Sequence, residues 1–140
     1  MNFQSESKRS GDAFEELVFN DLVSRDFDHI QPNVYIDGAG CEVDFVAYNS
    51  LTNSLEYVEA KGGLDGENKR PGAKRTDNVK KAIANGALIK AIDESLYYVV
   101  YFSAEPGNGY ATEMIYTALK HKIIDEVRYL LPQDLTLQVA

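Results

Sequence analysis

The sequence is poor in the residues that cross-link a chain or bind zinc. It has no tryptophan, one cysteine (Cys41), two histidines (His29 and His121) and only four prolines in 140 residues. A single cysteine excludes an internal disulfide, which fits a reducing compartment. The cysteine and histidine residues also lack the number and spacing of a zinc finger. We therefore expect a fold that depends on its hydrophobic core.

Long apolar runs are also missing. No stretch approaches the ~20 residues that a membrane-spanning helix needs. The opening residues, MNFQSESKRS, are polar and lack the apolar centre of a secretion signal. Hydrophobic residues nevertheless make up 44% of the chain, enough for a core of ordinary size. We expect a single domain over residues 1–140 that works in the cytoplasm.

Positive charge is scarce and concentrated in one segment. The chain has 14 basic and 22 acidic residues, a net charge of −8, which on average argues against a nucleic-acid partner. Residues 69–81, KRPGAKRTDNVKK, carry six basic residues against the single acid Asp77, a net charge of +5. This segment is either a solvated loop that leads into a helix or a strip that faces phosphate groups.

Hydrophobic periodicity predicts a helix followed by three strands in the first part of the chain. The helix lies in SGDAFEELVFNDLVSRDF, where Asp12 and Glu15 resemble a capping box. The strands are PNVYIDG, CEVDFVAY and SLEYVEA, and the last two form a hairpin around NSLTNS. Alternation along the second strand places Asp44 on one face and four apolar residues on the other: Cys41, Val43, Phe45 and Ala47.

The second part of the chain predicts an α/β arrangement. Residues 62–75 are rich in glycine and charge, which predicts a mobile basic loop before a helix that begins near Thr76. LYYVVYFS is almost wholly apolar, as expected for a central strand covered on both faces, and YATEMIYTALKHK predicts a further helix. IIDEVRYL either extends that helix or forms a last edge strand, and we favour the strand. The expected fold is a mixed central sheet flanked by helices, in the order αβββαβ.

The segment SLEYVEAKGG ends a predicted buried strand with an acid and a base. Glu59 and Lys61 are two residues apart and so share a face of the strand. If the hairpin turns at residues 49–54, Asp44 falls beside Glu59 on the neighbouring strand. Like charges in this position destabilise a sheet unless a cation lies between them. Carboxylate oxygens are ligands for Mg²⁺ or Mn²⁺, and the Ala60 carbonyl offers a third oxygen.

Such a centre has a definite chemistry. A divalent cation held by Asp44, Glu59 and the Ala60 carbonyl would polarise a phosphodiester and activate a bound water. Lys61 would orient or deprotonate that water, or stabilise the developing charge on phosphorus. The alternative interpretation of Glu59 and Lys61 is an ordinary surface pair at the frayed end of a strand.

This arrangement resembles the PD-(D/E)xK nuclease superfamily, which includes type II restriction enzymes, Holliday-junction resolvases and phage recombination nucleases. Asp44 and the triplet Glu59-Ala60-Lys61 match its motif, although Val43 stands where many members have proline. GDAFEELVFNDL is similar to the first helix of Mrr-like and resolvase-like members, whose Gly-x-x-Phe-Glu pattern supplies another glutamate beside the metal. That residue is Glu15, with Glu16 as the alternative register.

The resemblance, which covers about the first hundred residues, implies a restriction-endonuclease-like fold and an Mg²⁺- or Mn²⁺-dependent deoxyribonuclease. The expected reaction is phosphodiester hydrolysis that leaves a 5′-phosphate. The small size favours cleavage of branched or junction DNA, or weak sequence specificity, and is similar to phage-encoded nucleases. A homodimer would supply one active site for each strand. Two alternatives remain: a restriction or repair nuclease for linear DNA, and a non-catalytic nucleic-acid-binding module.

The resemblance also gives the +5 segment a role, because that segment follows the predicted catalytic lysine. We expect DNA contacts from the segment and from the start of the next helix, where Thr76, Asn78 and Lys80 replace a glutamine that is frequent in the superfamily. The predicted DNA-binding residues are Lys69, Arg70, Lys74, Arg75, Asn78 and Lys80.

Overall fold

The computed structural model describes residues 3–62, 72–74, 76–107 and 109–131, with side chains from Asp12 onward. The described residues form an α/β protein with three α-helices, five strands and one short 3-10 turn. No helix within these ranges combines the length and apolarity needed to cross a bilayer. The elements are α1 Phe3–Ser24, β1 His29–Ile36, β2 Cys41–Asn49, β3 Ser54–Lys61, the turn Gly72–Lys74, α2 Thr76–Ile92, β4 Tyr98–Phe102, α3 Gly109–Lys120 and β5 Glu126–Tyr129.

The five strands form one mixed sheet in the order β1-β2-β3-β4-β5. β1, β2 and β3 pair antiparallel, whereas β3, β4 and β5 pair parallel. The parallel pairs require crossover connections, which α2 and α3 provide. The predicted mixed sheet is therefore confirmed, and the segment IIDEVRYL contributes a strand, as favoured.

Helices cover both faces of the sheet and create two cores. α1 packs on one face, where its buried residues Phe14, Val18 and Leu22 meet Phe45 and Val58 of the sheet. α2 and α3 cover the opposite face. β4 lies between the two cores and all five of its residues are buried, which confirms the predicted central strand. The residues of β4 alternate between the cores, with Tyr98, Val100 and Phe102 towards α2 and α3, and Val99 and Tyr101 towards α1.

The predicted start of α1 is wrong. The helix begins at Phe3, so Asp12 lies well inside it and does not cap it. The segment before Asp12 is polar and has no apolar stripe, so periodicity gave no sign of a helix there. Extending an existing helix adds one hydrogen bond for each residue fixed, whereas starting one is costly. The helix therefore continues beyond the part that packs on the sheet.

The predicted alternation of β2 is also wrong. Val43 packs in the core of α2 and α3, whereas Phe45 and Ala47 lie beneath α1. The alternation breaks at Asp44. Asp44 and Asn33 are also absent from the residue pairs that join β1 to β2. Asn33 has a φ of 52°, a left-handed conformation that regular strands do not adopt. The break leaves Asp44 at an irregular point between the two cores.

The predicted loop at 62–75 lies mostly outside the described residues, and so do Lys69, Arg70 and Arg75. Its last part is packed: Ala73 is buried, and its N–H donates a hydrogen bond of 3.1 Å to the carbonyl of Ala104. The last described part of this predicted loop is the turn Gly72–Lys74, which docks beside the end of β4.

Candidate active site

The end of β3 presents Glu59 and Lys61 on the side of the sheet that α2 covers. Val58 packs under α1, so strand alternation turns its neighbour Glu59 towards α2. Glu59 is only 3% exposed, while Lys61 is half-buried. A carboxyl group is rarely buried to this degree without specific partners.

Asp44 is the first of those partners. The β2–β3 pairing begins at Phe45 and Val58, which confirms the predicted hairpin register. One step further, the Asp44 carboxylate accepts a hydrogen bond of 2.7 Å from the backbone N–H of Ala60. Its side chain also hydrogen bonds to Glu59, so the two carboxyl groups are adjacent, as the sequence predicted. The side chain of Asp44 therefore ties β2 to the end of β3.

Glu15 joins this pair from α1. Its side chain hydrogen bonds to Asp44, whereas its neighbour Glu16 is exposed. Helix geometry explains the difference, because Phe14 and Val18 face the sheet, whereas Glu15 lies about 100° around the helix from Phe14 and Glu16 about 200°, on the outer side. Of the two candidate glutamates, the structure brings Glu15 to Asp44.

Burial and the neighbouring Asp44 strongly affect the protonation of the two glutamates. Burial, hydrogen bonding and repulsion from Asp44 together raise the pKa of Glu59 to about 8, although Lys61 opposes the shift. Burial and the same neighbour raise the pKa of Glu15 to about 7. Two carboxyl groups can hydrogen bond to each other only when one carries a proton. A cation placed among them would release such protons.

Asn85 is a residue of this site that sequence reasoning missed. It lies on α2, and its Nδ2 donates a hydrogen bond of 2.6 Å to Oε2 of Glu59. The available signal was a polar residue between the buried positions Ala82 and Ile89 of the same helix. The sequence interpretation looked instead at the start of α2.

Gly62 directly follows the last residue of β3 and lies in a crowded place. Its φ is 154°, and an added Cβ would lie 2.0 Å from the Ser103 hydroxyl oxygen. The N–H of Ser103 donates a hydrogen bond of 3.3 Å to the carbonyl of Lys61. Only glycine lets the chain leave Lys61 along this path. The buried Ser103 hydroxyl has no hydrogen-bond partner among the described residues.

The described DNA-binding candidates lie around the start of α2. Lys74 and Lys80 are exposed and Asn78 is half-buried. Lys80 lines a largely apolar groove of about 700 Å³ between α2 and α3, together with Thr76, Ile83 and Tyr110. None of the site carboxylates lines this groove, so it is separate from the cluster around Glu59.

The site offers few protein ligands, which suits Mg²⁺ better than a cation that must be enclosed by protein oxygens. Within the described ranges, no three or more His, Cys, Asp or Glu side chains are grouped so that they could hold a metal ion. Mg²⁺, however, usually keeps several waters and binds proteins through one or two carboxylates. Asp44 and Glu59, with the Ala60 carbonyl, fit that smaller set. Burial, together with the neighbouring Asp44, raises the pKa values of Glu59 and Glu15, and a cation among these carboxyl groups would favour their ionised forms.

Comparison of the chain with protein-family models, with curated proteins and with solved structures finds no match. The likeness to a nuclease family therefore depends on the chain's own residues: the acid of β2, the triplet that ends β3, and the glutamate of α1.

Proposed function

We propose that this protein is a metal-dependent deoxyribonuclease with a restriction-endonuclease-like fold, related to the PD-(D/E)xK superfamily. One observation carries the proposal. Glu15, Asp44 and Glu59 come from three different elements, yet both glutamate side chains adjoin Asp44 close to Lys61. A stable fold gains nothing from gathering like charges in a place where burial raises the pKa of both glutamates.

Asp44 and Glu59 are the proposed protein ligands for Mg²⁺ or Mn²⁺, with the Ala60 carbonyl as a further oxygen. When bound, the cation would polarise the phosphodiester and lower the pKa of a water. Glu15 acts through Asp44, to which it is hydrogen bonded, and keeps that carboxylate oriented. The N–H of Ala60 holds Asp44 from the other side.

Lys61 is the proposed proton-handling and charge-stabilising residue. It lies at the last position of β3, on the same face as Glu59, and is partly open to solvent. From there its ammonium group can reach a phosphate or a water held above the carboxylates. The substitution of a positioned acid or base typically lowers the rate by 10²–10⁴-fold.

The proposed substrate is DNA, bound on the edge of the sheet where β3 ends. Lys74, in the turn that docks beside the end of β4, and Lys80 of α2 would contact phosphates, as would Lys69, Arg70 and Arg75 of the basic segment. The proposed preference is for branched or junction DNA. A homodimer would place two such sites on two strands.

A cleavage assay tests the proposal. Wild-type protein is incubated with Mg²⁺ or Mn²⁺ and a four-way junction, a linear duplex or a single strand. Lys61→Ala should lower the cleavage rate at least ~100-fold. Lys120→Ala, an exposed lysine at the far end of α3, is the matched control and should cut at the wild-type rate. Absence of wild-type cleavage on all three substrates with both metals would overturn the enzymatic proposal.

One observation favours a second candidate, a non-catalytic nucleic-acid-binding module. The described residues form no group of three or more metal-binding side chains. A module of this kind would bind DNA with the same affinity with and without Mg²⁺, and would cut none of the three substrates.

A further inference from the structure

We propose that Asn85 is a positioning residue that leaves Glu59 one oxygen for a cation and thereby selects Mg²⁺ and Mn²⁺ over Ca²⁺. This inference rests on the proposed function, because it assigns Asn85 a role in the same metal site. It adds a determinant of metal choice, which neither the motif nor its family resemblance supplies.

The Asn85 amide contacts one of the two carboxyl oxygens of Glu59. Nδ2 of Asn85 donates a hydrogen bond of 2.6 Å to Oε2 of Glu59. Glu59 is 3% exposed, so solvent does not compete for that oxygen. The amide is neutral and remains a donor at every working pH. A cation that binds both oxygens of Glu59 would have to share Oε2 with the Asn85 amide, so binding through Oε1 alone is favoured.

The backbone of α2 holds Asn85 at this distance. The next residue, Gly86, is buried, and an added Cβ there would lie 2.5 Å from the carbonyl oxygen of Ile123. One turn further, Lys90 forms an ion pair with Asp125 and donates a hydrogen bond of 2.6 Å to the carbonyl of Leu96. Before Asn85, the Tyr98 hydroxyl of β4 donates a hydrogen bond of 2.9 Å to the carbonyl of Ala82. Contacts therefore hold α2 on either side of Asn85, and the helix cannot withdraw the amide without breaking them.

One available oxygen favours small cations. Ca²⁺ takes six to eight oxygen ligands and frequently uses both oxygens of a carboxylate. Mg²⁺ prefers octahedral geometry with shorter bonds and keeps several waters, so one oxygen from each carboxylate is sufficient. A hydrogen bond that disfavours two-oxygen binding by Glu59 thus weakens Ca²⁺ binding more than Mg²⁺ binding. Residues that orient metal ligands typically change metal affinity 10–100-fold when they are substituted.

The test measures metal binding without DNA and without catalysis. Mn²⁺ binding to purified protein is followed by electron paramagnetic resonance, and Mg²⁺ or Ca²⁺ is added as a competitor. Asn85→Leu keeps a similar volume and removes the donor, while Asn85→Ala serves as a second variant if the first does not fold. Leu88→Ala, an exposed position on α2, is the control. Thermal unfolding of each variant shows that it is folded.

In wild-type protein Mg²⁺ should displace Mn²⁺ more effectively than Ca²⁺ does. Asn85→Leu should lower Mn²⁺ and Mg²⁺ affinity at least ~10-fold and Ca²⁺ affinity less, so that the Mg²⁺-to-Ca²⁺ preference falls. A folded Asn85 variant with the wild-type preference would overturn the role of Asn85 and leave the nuclease proposal intact. Failure of the wild type to bind any of the three metals would overturn the metal-dependent function itself.

Discussion

At the residue scale, Glu59 couples folding to the chemistry of the site. It is nearly fully buried, hydrogen bonded to Asn85 and placed against Asp44. These surroundings raise the pKa of Glu59 to about 8, mainly because burial disfavours its charged form. In the proposed nuclease the ionised carboxylate is a metal ligand, so metal binding would release the proton that the metal-free fold retains.

The stability of the metal-free protein should therefore fall as the pH rises. Between the ordinary glutamate pKa of 4.5 and about 8, folded Glu59 retains a proton that the unfolded chain has lost. Folding is favoured by that proton, so its contribution is complete below 4.5 and disappears as the pH passes about 8. Glu15 adds the same trend up to about 7. Urea denaturation over this pH range measures the slope.

Glu59→Gln should make that slope shallower, because glutamine binds no proton. Glu16→Gln removes an exposed carboxylate from α1 and should keep the wild-type slope. An identical pH dependence in Glu59→Gln and wild type would show that Glu59 does not retain the proton.

At the scale of elements, an ionic network under α1 joins four parts of the fold. Both terminal nitrogens of Arg128 on β5 donate hydrogen bonds of 2.9 Å to Glu56 on β3. The Tyr101 hydroxyl on β4 accepts a hydrogen bond of 3.0 Å from Arg128 and donates one of 2.6 Å to Asp21 on α1. The side chains of Arg128 and Glu56 are only 9% and 11% exposed. This network holds the helix and strands together on the face opposite α2.

Arg128→Ala should destabilise the protein by about 3–5 kcal/mol, because it leaves the Glu56 carboxylate buried without its partner. Denaturant unfolding measures the change. Replacing the pair by Arg128→Met with Glu56→Leu should recover most of the loss, since apolar residues of similar size carry no charge to bury. Lys81→Ala breaks a pair whose side chains are each 63% exposed and should cost less than about 1 kcal/mol. A comparable loss in Lys81→Ala would contradict the argument from burial.

At the scale of the whole molecule, the charge distribution limits where DNA can bind. The net charge is −8, while residues 69–81 carry +5. The acidic remainder of the chain repels a polyanion, so binding should be confined to the edge where β3 ends and where Lys74 lies. Affinity should fall steeply with salt as counterions are released.

Lys74→Ala should reduce the magnitude of the salt slope by about 0.9, the contribution of one phosphate contact. The measurement is fluorescence anisotropy of a labelled junction over a range of KCl concentrations, in a Lys61→Ala background without divalent metal. Lys120 lies at the end of α3 away from this edge, so Lys120→Ala should leave the slope unchanged. Equal effects of the two substitutions would argue against a localised DNA-binding edge.

Short-range patterns were enough to predict several parts of this structure. Two-residue alternation placed Glu59 and Lys61 on one face, and the turn at residues 49–54 set the hairpin register that brings Asp44 to Glu59. The apolar run of β4 predicted a strand buried on both faces. Each of these depends on neighbours along one strand or one hairpin, where backbone geometry alone decides the outcome.

The tertiary structure decided what local patterns left open. Glu15 rather than Glu16 reaches Asp44 because of the way α1 packs on the sheet, and Asn85 reaches Glu59 because α2 crosses the opposite face. The alternation along β2 breaks at Asp44, because Val43 packs in the core of α2 and α3 whereas Phe45 packs in the core of α1. The sequence by itself thus determined the hairpin and its charged end. Only the packing of two helices from distant parts of the chain decided which further side chains meet there, because residues far apart in sequence share no local geometry.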